Sequence, residues 1–123
     1  MSHIYSFEKL EAWKDSRHLV KSIYLLTKSF PDEEKYGLVS QMRRCAISIA
    51  SNLAEGTSRK TIKDKAHFTT ISCSSSLELL NQLIISQDLG FLSKDEYIQI
   101  RLEIEKVTNK LNSLRNTQLR NSQ

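Results

Sequence analysis

The chain has 123 residues, of which 39% are hydrophobic, and this is enough for one domain with one core. One proline and three glycines are too few to supply the closely spaced turns of a sheet protein. The net charge of +4 permits an anionic partner but does not require one. The composition therefore predicts a single all-α domain.

Apolar residues recur at steps of three and four along most of the chain, which is the spacing of helices that bury one face. The predicted helices are at about 7–29, 38–55, 62–89 and 94–115. Phe30-Pro31 should end the first helix, Gly56 the second and Gly90 the third. We expect residues 116–123 to form a frayed tail. The predicted fold is an antiparallel up-and-down four-helix bundle.

The stripe expected to face the core is well marked in the first helix. Its residues are Trp13, Val20, Ile23, Tyr24, Thr27 and Phe30. The fourth helix has an equally regular stripe, and Ser93 with Glu96 has the spacing of a capping box at its start. Each of these two helices is therefore expected to bury one face.

The third helix carries more apolar surface than one bundle core can cover. Its leucines and isoleucines between residues 77 and 85 span an arc of roughly 240° at about 100° per residue. An apolar surface left in water usually marks a partner site. We therefore expect self-association, with Leu79 and Ile85 as candidate interface residues.

Polar residues form a second stripe on each of the two middle helices. They are Gln41, Arg44, Ser48, Asn52 and Glu55 on the second helix, and Ser75, Glu78 and Gln82 on the third. Helices that run in opposite directions keep the sum of facing residue numbers nearly constant. One register would therefore join Gln41 with Gln82, Arg44 with Glu78 and Ser48 with Ser75 in a structural network, although a ligand or nucleic-acid site remains the alternative. Arg43 lies off this stripe, is expected to face solvent or a ring opening, and is a candidate nucleic-acid contact.

Two segments of the middle helices resemble the family of four-helix-bundle proteins encoded in intervening sequences of bacterial 23S ribosomal RNA genes. The similar residues are Gln41, Arg43-Arg44, Ala46, Ser48-Ile49 and 52–56, then Ser75, Glu78-Leu79, Gln82-Leu83 and 89–92, with support from 7–10, Trp13, Ile23-Tyr24 and Phe30-Pro31. The resemblance implies a left-handed antiparallel bundle and a homopentameric ring, as in related accessory proteins of diversity-generating retroelements, which bind nucleic acid and a reverse transcriptase. Ser72 and Ser74 depart from the alanine and glycine that the family pattern leads us to expect.

Catalytic motifs are not found in the sequence. Asp15-x-x-His18 and Asp64-x-x-His67 echo the ligand spacing of metal sites in helical bundles, but the first pair is expected to point at water. Cys45 and Cys73 lack C-x-x-C spacing and are expected to be reduced, packed thiols. We expect no enzymatic activity, no cofactor and no bound metal, and a carboxylate and histidine metal site in the bundle is the remote alternative.

The link after the second helix is the candidate binding site. Arg59, Lys60, Lys63 and Lys65 lie within seven residues at a helix start, where backbone N–H groups also favour anions. Five copies in a ring would make a basic rim for RNA or DNA, although no aromatic residues are interleaved to stack bases. The competing interpretation is a protein-interaction scaffold without a nucleic-acid role. No signal sequence or membrane-spanning run is recognised, so we expect a cytoplasmic protein.

Overall fold

The computed structural model describes residues 2–122, and within this range the chain is all-α, without a strand. The helices are α1 (Glu11–Thr27), α2 (Leu38–Thr57), α3 (Ile62–Asp88) and α4 (Lys94–Asn121), with short 3-10 helices at Ser6–Lys9 and Asp32–Glu34. α1 packs on α2, α2 on α3, α3 on α4, and α4 returns to α1. The prediction of an all-α four-helix bundle is confirmed.

The core is a single cluster of apolar side chains drawn from all four α-helices. Its largest fully buried members are Leu19, Ile23, Met42, Ile49, Leu79, Leu83, Ile104, Val107 and Leu111. Burying each such side chain contributes on the order of 1.5–3 kcal/mol. The bundle therefore depends on these contacts more than on the helix propensity of any one segment.

Side-chain contacts join neighbouring helices in a regular order. As the residue number increases along one helix, the number of its contact partner on the neighbouring helix decreases. On α2 and α3 they join Met42 with Ser86, Cys45 with Glu78, and Ser48 with Ser75. On α3 and α4 they join Cys73 with Asn112 and Ser76 with Thr108, and on α1 and α4 they join Asp15 with Lys110 and Ser22 with Glu103. One register therefore holds along each pair.

Both ends of the chain differ from the predicted bounds. α1 begins at Glu11 because Leu10 is extended, and the preceding 3-10 turn is closed separately by Glu8, which accepts a hydrogen bond from the backbone nitrogen of Tyr5 at 2.8 Å. α4 continues to Asn121, so the frayed tail predicted from residue 116 is wrong up to that point. Gln118 lines one cavity with Ser6 and Leu10, so the N-terminal segment and the last turns of α4 border the same cavity. Residue 123 lies outside the described range.

Gly56 does not end α2 as predicted, because the helix runs through it to Thr57. A Cβ atom on Gly56 would lie 3.0 Å from the Cβ atom of Phe68, closer than such atoms normally approach. The glycine therefore allows α2 and α3 to meet closely near the link. Gly90 does end α3 as predicted, with a φ of 78° that favours glycine.

The core-facing stripe of α1 is rotated from the predicted one. Ser16, Leu19 and Leu26 are buried, whereas Trp13 and Tyr24 are only half-buried. The large aromatic rings lie at the edge of the helix, where Trp13 contacts Phe7 and Tyr24 contacts Arg43 on α2, and smaller side chains fill the centre. The prediction included the large aromatic residues Trp13 and Tyr24, which lie at the edge of the buried stripe and not at its centre.

Leu79 is wrong as an interface residue, because it is fully buried in the core. The buried stripe of α3 consists mainly of small and polar residues, namely Ala66, Thr69, Ser72, Ser75, Ser76, Gln82 and Ser86. Leu79 and Leu83 are its large apolar members, and other apolar residues of α3 are left outside, with Leu77 66% and Ile85 39% exposed. The wide apolar arc of α3 therefore serves the core on one side only.

Leu79 and Ile85 give a matched test of this assignment on one helix. Leu79→Ala should lower the free energy of unfolding by about 2–5 kcal/mol, because it leaves a cavity in the core. Ile85→Ala should cost under ~1 kcal/mol, since much of its side chain already meets water. Urea unfolding of both variants measures the difference, and equal losses would contradict the position of Leu79.

Candidate nucleic-acid interface

The predicted polar network is present at its centre. The hydroxyl groups of Ser48 and Ser75 are hydrogen-bonded at 2.9 Å, in the predicted register. Asn52 donates to the carbonyl oxygen of Ser48 at 2.9 Å and to its hydroxyl at 3.0 Å. The Ser48–Ser75 bond joins α2 to α3, and Asn52 holds Ser48 from the next turn of α2.

The charged part of that network is not formed. Arg44 and Glu78 are both exposed, and the described residues show no ion pair between them within 4.0 Å. Glu78 instead accepts a hydrogen bond from the thiol of Cys45, at 3.4 Å. Glu55, near the end of α2, forms an ion pair at 2.8 Å with Arg59, which lies four residues later in the chain. Water can solvate each of these charges, so nothing forces them together across the helix pair.

The two glutamines of the predicted network have different environments. Gln41 is exposed on α2, and the structure gives it no side-chain bond to Gln82 within the described range. Gln82 is buried, and within residues 2–122 its Oε1 atom has no hydrogen-bond partner. The Ser48–Ser75 bond is therefore not accompanied by a side-chain bond between the two glutamines.

Both cysteines are free thiols, with Cys45 buried and Cys73 half-buried. Burial, and then the neighbouring Glu78 carboxylate, raise the pKa of Cys45 above its ordinary value. Burial also raises the pKa of Cys73. Both thiols are thus held in the protonated, weakly reactive form.

Neither Asp-x-x-His pair converges with other ligands. Asp15 does not point freely at water as expected, because it is half-buried and pairs with Lys110 and, at 3.7 Å, with Lys106 on α4. Asp64 and His67 are exposed at the start of α3. Among residues 2–122, no three His, Cys, Asp or Glu side chains lie close enough together to hold a metal ion.

The basic link carries less free charge than its sequence suggests. Arg59 pairs with Glu55, and its guanidinium lies 4.6 Å from the centre of the Phe68 ring. Lys60 and Lys63 are exposed. Lys65 is half-buried and lines a cavity of about 260 Å³ between the link, the N-terminal segment and α4. Two of the four predicted phosphate contacts are therefore open to a partner without rearrangement.

Arg43 is not free, contrary to the prediction. Its Nε atom donates to the hydroxyl of Thr27 at 3.0 Å, and a terminal nitrogen donates to the carbonyl oxygen of Tyr24 at 3.4 Å. The guanidinium also lies 4.4 Å from the centre of the Tyr24 ring. The last carbonyl groups of a helix lack partners and carry partial negative charge, so a cation is favourable there. Arg43 therefore ties α2 to the C-terminal end of α1.

A larger basic surface, which the sequence analysis missed, lies along α1 and α2. We call it the α1–α2 basic face, and it consists of Arg17, Lys21, Lys28, Lys35, Arg43 and Arg44. Arg17, Lys21 and Lys28 share one side of α1 with Tyr24, because they are spaced by three, four and seven residues. Residues 16–31 and 35–54 contain no aspartate or glutamate, which is the signal that could have revealed this face. In the described part of the chain, none of the six cations has a carboxylate within 4.0 Å.

A groove of about 490 Å³ opens within the basic face, beside the loop that joins α1 to α2. Its lining residues include Tyr24, Lys35, Tyr36, Arg43 and Arg44. Tyr36 is 88% exposed, and the ammonium group of Lys35 lies 5.5 Å from the centre of its ring. The aromatic residues that the basic link lacks are thus present here.

An apolar groove of about 620 Å³ lies on another side of the bundle, between α3 and α4. Leu77 and Leu102 line it and are 66% and 61% exposed, and Leu80 forms part of its floor. Leu77 and Leu80 belong to the wide apolar arc that the sequence shows on α3, whereas Ile85, the other candidate interface residue, does not line this groove.

These features define the chain as a four-helix-bundle protein with a basic face and an apolar groove. It belongs to the 23S rRNA-intervening sequence protein family, whose model matches residues 8–113, so the resemblance is confirmed. A solved structure of a protein of unknown function from the S23 ribosomal protein family of Bacteroides thetaiotaomicron is similar in fold, with a TM-score of 0.79 and 19% identity over 85% of this chain and 95% of that one. A comparison with curated proteins gives no match. Within residues 2–122, no helix combines the length and apolar character needed to cross a bilayer.

Arg43 and Thr27 should be energetically coupled. Removing the guanidinium by Arg43→Met leaves the buried Thr27 hydroxyl without its charged donor, and Thr27→Val removes the acceptor. A double-mutant cycle in urea should give a coupling of about 1 kcal/mol. Arg44→Met is the matched control, because Arg44 is exposed and should be additive with Thr27→Val. Additivity for Arg43 as well would contradict the contact.

Proposed function

We propose that this protein is a non-catalytic, oligomeric helical bundle that binds RNA or DNA through phosphate contacts and acts as an accessory or scaffold protein. The observation that carries the proposal is the α1–α2 basic face, with six cations and no acidic partner within 4.0 Å among the described residues. Contacts of this kind release counterions from the nucleic acid and are largely independent of sequence.

The distribution of charge supports the same proposal. The chain has 18 basic and 14 acidic residues, so removing the six cations of the face leaves 12 basic against 14 acidic. The excess positive charge is thus concentrated on one side of the bundle. The acidic 3-10 helix Asp32–Glu34 borders this side at one end, where Glu34 accepts a hydrogen bond from the first backbone nitrogen of α2 at 3.2 Å. Lys60 and Lys63 on the basic link form a second, smaller contact in the proposal.

The proposed architecture is the antiparallel up-and-down bundle, assembled into a homopentameric ring in the cytoplasm. The residue numbers that fall on one helix as they rise on its neighbour support the antiparallel arrangement. The exposed apolar groove between α3 and α4 supports assembly, because a contiguous apolar surface usually meets a partner. The ring itself rests on the family resemblance.

The competing function is a protein-interaction scaffold without a nucleic-acid role. The apolar groove favours it, since Leu77 and Leu102 offer a surface for another protein as readily as for a second copy. Binding to nucleic acid that weakens steeply with salt would separate the two functions, because apolar contacts release no counterions.

Binding of labelled RNA or DNA should depend on the basic face. Lys21→Glu with Lys28→Glu should weaken binding ~10-fold or more at about 50 mM salt and reduce the salt slope by roughly 0.7–0.9 for each lost contact. Lys60→Glu with Lys63→Glu tests the link in the same way. The control is Lys9→Glu with Lys94→Glu, which changes the net charge equally on other exposed surfaces. If wild-type protein retains neither RNA nor DNA under these conditions, the scaffold function replaces this one.

Light scattering should return five times the 14.2 kDa mass of one chain at micromolar concentration. Leu77→Asp or Leu102→Asp should shift the particles towards the monomer while leaving helix content unchanged, because a charge in an apolar interface is costly. Leu25→Asp on α1 is the control, since Leu25 is also exposed but lies outside the groove. Wild-type protein at the monomer mass would exclude the assembly.

A further inference from the structure

Tyr36 is the most exposed of the large hydrophobic side chains in the described chain, at 88%. It contributes little to the core, because almost all of its ring meets water. Its nearest described partner is Lys35, whose ammonium group lies 5.5 Å from the ring centre. An aromatic ring held open beside a cation offers a face on which a planar group can stack.

The groove next to Tyr36 has the size and chemistry of a ligand site. Its volume of about 490 Å³ falls within the range of ~300–1,000 Å³ that is usual for such sites. Tyr24, Val39 and Ile47 supply apolar lining, and Lys35 and Arg44 place positive charge at the same groove. Arg43 already covers one side of the Tyr24 ring. The groove thus combines an open ring with cations that no carboxylate of the described chain neutralises.

A base can stack on Tyr36 only if it has left the base stack. A duplex hides the faces of its bases and presents phosphates and groove edges, whereas a single strand can turn a base outwards onto an aromatic side chain. Phosphate contacts alone would not distinguish the two forms. An open ring beside Lys35 and Arg44 is therefore a feature that would distinguish single strands from duplexes, which phosphate contacts alone would not do.

We propose that this groove, which we call the Tyr24–Tyr36 groove, binds an unstacked base of a single-stranded nucleic acid, with the flanking phosphates on Lys35 and Arg44. This inference rests on the proposed function and names its substrate class. The base stacks on Tyr36, and the charge of the α1–α2 basic face holds the strand on either side. Sequence preference is weak, since every base has a face that can stack.

The test compares single strands with duplexes of the same sequence by fluorescence anisotropy, using both RNA and DNA. Tyr36→Leu should weaken single-strand binding by about 5- to 150-fold, which is the loss expected for one stacked base, and should leave duplex binding nearly unchanged. Tyr36→Phe should retain wild-type affinity, because it keeps the ring. Tyr5→Leu is the matched control, since Tyr5 is 59% exposed and lies outside the groove.

An abasic single strand supplies a second, independent readout. It keeps the phosphates but lacks the bases, so Tyr36→Leu should not weaken its binding. The salt slope of Tyr36→Leu should equal that of wild type, because no phosphate contact is lost. Preference of RNA over DNA would indicate that the sugar hydroxyl is contacted, and equal affinity would indicate base and phosphate contacts alone; the inference holds in both cases.

Three outcomes would overturn the inference and leave the proposed function intact. In the first, Tyr36→Leu binds single strands as tightly as wild type does. In the second, Tyr36→Leu loses as much affinity for duplexes as for single strands. In the third, Tyr36→Leu changes the particle size, which would place Tyr36 at an interface between copies. Absence of wild-type binding to every nucleic acid tested would instead remove the proposed function and the inference together.

Discussion

The close approach of α2 and α3 is the constraint on which the rest of the bundle depends. The buried hydroxyl of Ser72 donates to the carbonyl oxygen of Ile49 at 2.9 Å, the Ser48 and Ser75 hydroxyl groups meet at the same distance, and Gly56 leaves room for Phe68. Such contacts require small side chains, so the inner stripe of α3 is rich in serine. Most large core residues therefore come from the other three helices, and the leucines and isoleucines of α3 are divided between the core and the surface.

Much of the fold could be predicted because its signals are local. Ser93 caps α4 through reciprocal bonds with Glu96, and Gly90 ends α3, as their sequence context indicates. The role of Gly56 was predicted wrongly because the local sequence, a glycine before a polar link, is the same for a glycine that ends a helix and for one that lets a second helix pack closely. Only the position of Phe68 on the facing helix decides between these roles.

The candidate site was harder to predict because charges that adjoin in space need not adjoin in sequence. The link at 59–65 stands out as a run of cations, yet Glu55 neutralises part of it from the preceding turn. The α1–α2 basic face is assembled from two helices and the loop between them, and each cation looks like an ordinary solvated residue when taken singly. Arg43 shows the same limit, since its partners Thr27 and Tyr24 lie on another helix. The absence of aspartate and glutamate from residues 16–31 and 35–54 was the sequence feature that could have indicated this face.

Asp15 offsets part of the charge of Lys106 and Lys110 where α1 meets α4. The opposite edge of α1 carries Arg17, Lys21 and Lys28, and none of these has a carboxylate within 4.0 Å among the described residues. Under the proposed function, the field of a nucleic acid would turn this edge of α1 towards it before contact and so raise the rate of productive encounter. Added salt would slow that encounter, because it shortens the distance over which the field acts.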